Sequence, residues 1–211
     1  TIAAIANAIH DALGIRPRTG VALARLLLEG GRASGAVLAV GGAEHRLLAR
    51  RGVVLATGGV PHDAALRAEL GLTGIGPSLA PAESTGDGVR AARAAGGALR
   101  TDIASPIAWV PVSDVPRPGG GTSPFPHFFD RSKPGFLILD RTGARFANEA
   151  LSYHDLGPLI AARPGGEAFL ICDSRALRRH GIGAARPFPA RNRALARAGY
   201  LISDPTPEGL A

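Results

Sequence analysis

Glycine and proline punctuate this chain too densely for long helices or unbroken strands. With 29 glycines and 17 prolines they supply 46 of 211 residues, about a fifth where about an eighth is usual, and without the strict period of collagen. Such a chain folds as short elements joined by turns and close backbone approaches. At roughly 150 residues per domain, its length allows one domain plus part of another. Hydrophobic residues at 45% and charged residues at 19% place it among globular proteins. No apolar run approaches the ~20 residues of a membrane helix, so no transmembrane segment is expected. Cys172 is the sole cysteine, which excludes an internal disulfide framework and a zinc-type cysteine cluster and points to a reduced, cytoplasmic setting. The net charge is +7, but Lys133 is the only lysine and the arginines are spread through Ala/Gly/Pro-rich sequence. No nucleic-acid partner is expected. The absence of methionine and a beginning in mid-pattern point to a piece of a longer chain.

Ile2, Ile5, Ile9 and Leu13 recur at helical spacing, and Gly14 stops the helix. Residues 20–28, 35–40 and 45–49, separated by Gly30-Gly31 and Gly41-Gly42, read as a β-meander. Gly52-Val53-Val54-Leu55-Ala56-Thr57-Gly58-Gly59 reads as a strand buried on both faces. Helical patterns follow at about 61–70 and 86–96. Residues 111–126 carry five prolines and read as a long surface loop. Beyond it the pattern gives a strand pair at 135–140 and 145–147, a helix from about 148, a strand at 167–172 and a helix at 174–180. The fold class is α/β (α+β).

Three segments carry chemistry. Glycines after the apolar run at Thr57-Gly58-Gly59 would let a ligand lie against the backbone at a strand's carboxyl end, or make an ordinary tight turn. Glu83-Ser84-Thr85-Gly86-Asp87-Gly88 opens a helix. There Ser84 or Thr85 can cap free N–H groups, and Asp87, which would repel a phosphate, suits a sugar hydroxyl or the loop itself. In the third segment, Asp140 to Asp155, a helix beginning at Asn148 puts Glu149 and Tyr153 on one face with Ser152 beside them and His154 turned away. The alternative there is a capped helix start with a half-buried tyrosine. Phe125, Phe128 and Phe129 gather three of ten aromatic residues, as core or as a substrate wall. The dispersed histidines have no metal-ligand spacing, and Cys172 reads as packing.

In order and spacing, these segments resemble the flavoprotein family of fumarate reductases, succinate dehydrogenase flavoprotein subunits and 3-ketosteroid Δ1-dehydrogenases. The resemblance covers nearly the whole chain. Residues 30–35 with their flanking strands, 52–59 and 84–98 look like the latter part of the family's FAD domain, and Arg145-Phe146-Ala147-Asn148-Glu149 looks like the start of its capping domain. The fumarate and succinate enzymes usually carry an arginine near the position of Tyr153, whereas Asn148-Glu149-Ala150-Leu151-Ser152-Tyr153-His154-Asp155 resembles the ketosteroid group. So do residues 130–135 and 199–211.

The resemblance implies a Rossmann-like FAD-binding part with the meander at 1–100 and an α+β capping, substrate-binding domain at 101–211, cut off at its C-terminal end. It implies FAD held by Ala56, Thr57, Gly58, Gly59, Thr85, Gly86, Asp87 and Gly88. It also implies Tyr153 as the base that takes a proton from carbon 2 while hydride leaves carbon 1 for the flavin, with Glu149 beside it. Phe125, Phe128, Arg145, Asn148 and Ser152 would contact a small, steroid-like substrate, with Phe129 and Trp109 adding apolar wall. Because a phenol is a weak base at neutral pH, a neighbour must favour its anion. The family's dinucleotide fingerprint and last FAD loop fall outside these residues, so the piece alone is expected to be inactive. The alternatives are a reductase or dehydrogenase of small dicarboxylates, favoured by the many arginines, and a non-catalytic binding module.

Overall fold

The computed structural model describes residues 2–187 and 189–210, which fall into two units, 2–73 with 80–103 and 74–79 with 104–210. In the first, the apolar spacing at the start gives α1 (Ile2–Leu13), ended by Gly14 in the left-handed region. Its apolar stripe remains exposed. Three antiparallel strands follow in the order β1 (Val21–Glu29), β2 (Arg32–Val40) and β3 (Ala43–Leu48), turned by glycine pairs with positive φ at 30–31 and 41–42. This is the expected meander. Gly35 in β2 has the Leu47 carbonyl where a Cβ would stand, so β2 and β3 approach only with glycine there. Val37 and Ala36 of β2 are buried, with Val60, Leu66, Leu72 and Ala91 completing the apolar interior of this unit. Two short helices, α2 (Ala64–Glu69) and α3 (Asp87–Ala94), bring in Leu66 and Ala91.

The run at 52–59 departs from its reading. It pairs with no strand among the described residues, and Val54 is 90% exposed. Apolar, β-branched composition specifies burial; a ladder also needs a partner edge in register, which composition does not supply.

The second unit departs at its prolines. Residues 111–126 form a hairpin of β4 (Val112–Pro116) and β5 (Thr122–Pro126), with Asp114 opposite Pro124 and Val112 opposite Pro126. The N–H of His127 bonds the carbonyl of Pro111 at 2.9 Å and that of Arg117 bonds Gly121 at 3.0 Å. Odd-numbered positions therefore carry the ladder bonds, while Pro116, Pro124 and Pro126 occupy alternate positions whose N–H would point outward. An isolated ribbon has two edges, and its prolines line them.

Strand β6 (Phe136–Leu139) pairs antiparallel with β7 (Phe169–Cys172), so the expected pairing with 145–147 is reduced to one bridge, Leu139 to Arg145. Helix α4 (Tyr153–Ala161) buries Leu156, α5 (Ser174–His180) buries Ala176 and is capped by the Asp173 carboxylate at the Ala176 N–H, and α6 (Pro189–Arg197) closes the order. Phe136 and Ile138 are the buried side of β6. Burial, with the charge of Asp173, raises the Cys172 thiol above its ordinary pKa, as suits a packing residue. Gly157 of α4 lies against Trp109, whose Cβ would be 2.6 Å from an added methyl.

The helix expected from 148 begins five residues later. Asn148 accepts the Ala150 N–H in a local turn, and Ser152 becomes the N-cap by accepting the Asp155 N–H at 3.1 Å. Glu149 consequently does not share a helical face with Tyr153. It is buried, taking Arg145 on both carboxylate oxygens at 2.8 and 2.7 Å and the Ile138 N–H at 3.0 Å. The Arg145 hydrogen bonds lower the carboxyl to a pKa of about 2, against an opposing contribution from burial and with help from backbone N–H groups. A carboxyl depressed in the fold contributes stability above its unfolded pKa and loses it as pH falls toward about 2.

Glu149→Gln is therefore expected to cost about 2 kcal/mol at pH 7, with Arg145 half in solvent holding the figure down. The gap from wild type should narrow as denaturant melts are moved from pH 5 toward pH 2. Gly157→Ala should cost about 1–3 kcal/mol at every pH, because the added methyl meets Trp109.

Candidate functional site

Two of the sequence-derived segments meet in the first unit. Thr57 and Gly58 lie against the loop 84–88: a methyl on Gly58 would stand 2.8 Å from Ser84 Oγ, and one on Gly88 would collide with Thr57 Oγ1. Neither Ser84 nor Thr85 caps α3. The N-cap is Gly86 in the left-handed region, without a side-chain cap, and the Thr85 hydroxyl donates instead to the Asp87 carboxylate at 2.7 Å. Gly86 is held free of a side chain by Leu66 Cδ1, which a Cβ would approach to 2.6 Å. Arg90 fastens the loop by donating to the Thr85 carbonyl at 2.8 Å and to the buried Asp63 carboxylate. Asp63 also caps α2 at the Leu66 N–H, and that bond, offset by burial and aided by Arg90, keeps its carboxyl below the ordinary range.

Between these segments lies a cleft of about 210 Å³ whose lining includes Leu55, Thr57, Gly58, Gly88, Val89 and Ala92. Its glycines expose backbone, Thr57 offers a hydroxyl and the aliphatic groups offer a flat apolar wall. That donor set suits the edge of a ring system or a hydroxylated chain. The volume is below the ~300 Å³ of the smallest usual ligand pockets, so the cleft has room for only part of a large ligand. Of the residues expected from sequence, Thr57, Gly58 and Gly88 line it, while Ala56, Gly59, Thr85, Gly86 and Asp87 are outside the lining. Leu55, Val89 and Ala92 were not foreseen; their place follows from the fold of 52–59 against α3.

In the second unit, Tyr153 is the first residue of α4, and the Phe128 ring stands edge-on to it at 5.1 Å between centroids and 77° between planes. Phe128 contacts Phe129 in turn, which is 75% exposed, so this aromatic group opens to the surface. Phe125 instead packs against His127 at 5.3 Å. Trp109 binds the same helix, its N–H on His154 Nδ1 at 3.3 Å and its indole N–H on Ser105 Oγ at 3.0 Å. Arg145, Asn148 and Ser152 are engaged respectively with Glu149, the Ala150 N–H, and Asp155. The structure thus brings together Tyr153 and Phe128, and gives the other expected contact residues local structural partners.

Comparison with known proteins follows these positions. The model of the FAD binding domain family matches residues 1–199. A 4-oxocyclohex-2-ene-1-carboxylate 5-dehydrogenase of Sinomonas cyclohexanicum is 36% identical over 190 residues, 82% of this chain and 31% of that protein. A 3-oxosteroid 1-dehydrogenase of Mycobacterium tuberculosis is 32% identical over 190 residues, 82% of this chain and 32% of its own. The 3-ketosteroid delta1-dehydrogenase of Sterolibacterium denitrificans, solved with 1,4-androstadiene-3,17-dione, superposes with a TM-score of 0.72 at 26% identity over 88% of this chain and 35% of that one. The chain spans about a third of the length of the curated relatives it matches. Small glycine-lined cleft, loop and helix fall within the matched residues, and the chain belongs to the FAD binding domain family, with FAD as its cofactor.

Proposed function

We propose that these residues serve a flavoenzyme that dehydrogenates a ring beside a ketone, a cyclic ketone of steroid type being the substrate class, with Tyr153 accepting the proton. The observation that carries this reading is the pairing of Tyr153 with Phe128: a phenol at a helix start, edge-on to an aromatic side chain that is partly open to solvent. The relatives named above are dehydrogenases of an oxocyclohexene carboxylate and of a 3-oxosteroid. Both names describe a ring carrying a ketone.

FAD, when bound, supplies the acceptor for the hydride. The chain's own residues do the rest. Thr57, Gly58 and Gly88 would hold part of the cofactor against exposed backbone. In the second unit, Phe128 and Phe129 provide apolar surface for the ring. Tyr153 takes the proton from the carbon next to the ketone, where the carbonyl makes a C–H acidic. The first-turn N–H groups and the positive end of the α4 dipole favour negative charge developing at that end of the helix. Arg145, which in a dicarboxylate enzyme would be wanted for substrate, is committed to Glu149.

In the full-length protein, Tyr153→Phe should leave the flavin spectrum unchanged and slow anaerobic bleaching by a 3-ketosteroid, or by 4-oxocyclohexanecarboxylate, by about 10²–10⁴-fold. Bleaching at the wild-type rate would remove Tyr153 from the chemistry, and reoxidation by fumarate with no response to either ketone would favour the dicarboxylate reading. Gly88→Val should lower the flavin content of the purified protein while circular dichroism shows the fold retained.

A further inference from the structure

Four polar side chains in the second unit form one continuous hydrogen-bonded chain that the Tyr153 chemistry does not use. Ser113 of β4 lies 2.7 Å from the Tyr200 hydroxyl and 2.8 Å from His127 Nε2, and His127 Nδ1 lies 2.7 Å from Asp130 Oδ2. Two backbone groups close the ends: the Gly183 N–H donates to Asp130 at 3.1 Å and the Ala184 N–H to the Tyr200 hydroxyl at 3.0 Å. With a neutral imidazole, one set of proton positions serves every member. Tyr200 accepts from Ala184 and donates to Ser113, Ser113 donates to His127 Nε2, and His127 donates through Nδ1–H to Asp130. Burial raises the Asp130 carboxyl, but the hydrogen bond from His127 and the Gly183 N–H are among the contributions that leave it below the ordinary range.

Ser113, His127 and Asp130 have the spacing of an acyl-transfer triad, but the surroundings oppose a nucleophilic serine. The nearby N–H groups that would receive an oxyanion, Gly183 and Ala184, are spent on Asp130 and Tyr200. The Gly183 backbone also closes over the imidazole: a methyl there would be 3.1 Å from His127 Cε1 and would collide with the Tyr200 hydroxyl. This is a closed clasp joining β4, the segment after β5, the 183–184 turn and Tyr200, three residues beyond α6.

Its consequence lies one residue along. His127 precedes Phe128, the ring against Tyr153. The His127 side chain is tied on both nitrogens, and its carbonyl accepts from Nε of the buried Arg131 at 3.2 Å; that guanidinium also donates to the Glu149 carbonyl, just before the turn into α4. Both sides of the Phe128–Tyr153 contact are thus anchored to Arg131, and only the Phe128 side also depends on the clasp. We propose that the Tyr200–Ser113–His127–Asp130 clasp positions the Tyr153 phenol through Phe128, which makes His127 and Ser113 positioning residues. This rests on Tyr153 being the proton acceptor.

The charged or titratable groups around His127 are Asp130 on its Nδ1, Tyr200 reached through Ser113 on its Nε2, and Arg131 at its carbonyl. Ser113→Ala and Tyr200→Phe, made in the full-length protein, each remove one link without touching Tyr153 or Phe128. Each should lower kcat with the cyclic ketone about tenfold, leave KM within about twofold and shift the pH profile of kcat. The double variant should be no worse than the poorer single one, because both cut the same chain, and Ser113→Thr should restore most of the loss. The ¹³Cζ resonance of Tyr153, assigned by its disappearance in Tyr153→Phe, should move in both single variants. Folded variants with wild-type kcat, an unmoved pH profile and an unmoved Tyr153 resonance overturn the proposal. If Ser113→Ala does not fold, Tyr200→Phe, which deletes a single oxygen, carries the comparison alone. Full turnover by Tyr153→Phe would sink the proton-acceptor reading and, with it, the catalytic role of the clasp; a Tyr153 resonance that still moves in Tyr200→Phe would then establish the structural link by itself.

Discussion

The buried carboxylate of Glu149 decides how the second unit is arranged around Tyr153. It cannot be left unpaired in an apolar setting, and it is satisfied by Arg145 on both oxygens and by the Ile138 N–H. Those bonds tie residues 145–149 to strand β6, while Arg131 holds the Glu149 carbonyl from the other side. The backbone at 148–152 is then a turn and not a helix, and the first helical residue is Tyr153. A helix begun at Asn148 would have wrapped Glu149 and Tyr153 onto a shared face. Burial of one acid in place of that face separates the structural carboxylate from the Tyr153 phenol.

Much of this was legible in sequence where local chemistry is decisive. Helix α1, the glycine-turned meander and the bounds of α5 follow from spacing and from turn and capping residues acting within a few positions. Errors arise where the deciding partner is distant. Five prolines read as loop because each removes a donor, yet the hairpin places three of them where no ladder donor is required. The run at 52–59 reads as a buried strand, yet it has no ladder partner among the described residues. Its composition calls for an apolar environment, yet Val54 and the nearby Leu47 and Leu48 are all more than half exposed.

The candidate site divides along the same line. Thr57, Gly58 and Gly88 were legible because a glycine at a close approach leaves a mark in sequence, and the approach is present. The pairing of Phe128 with Tyr153 joins residues 25 positions apart, and sequence supplied both names but not their contact. Ser113, His127, Asp130 and Tyr200 span 87 positions from first to last, with no spacing by which a motif would betray them. Arg145, Asn148 and Ser152, attractive as substrate contacts when read singly, turn out to have partners within four residues.

These two kinds of residue imply different tolerances. A group whose partner is local, such as Ser152 at Asp155 or Asp173 at Ala176, loses one capping interaction when replaced, about 1 kcal/mol, and the remainder of the fold is unaware of it. A group whose partners come from several segments transmits its loss. His127 touches β4, the turn after β5 and, through Asp130 and Tyr200, the 183–184 turn. Its neighbour Phe128 reports any displacement directly to Tyr153. The Phe128–Tyr153 contact is therefore held by residues far away in sequence, and a substitution at Ser113 or Tyr200 can reach the surroundings of the phenol while every residue from 148 to 155 is kept.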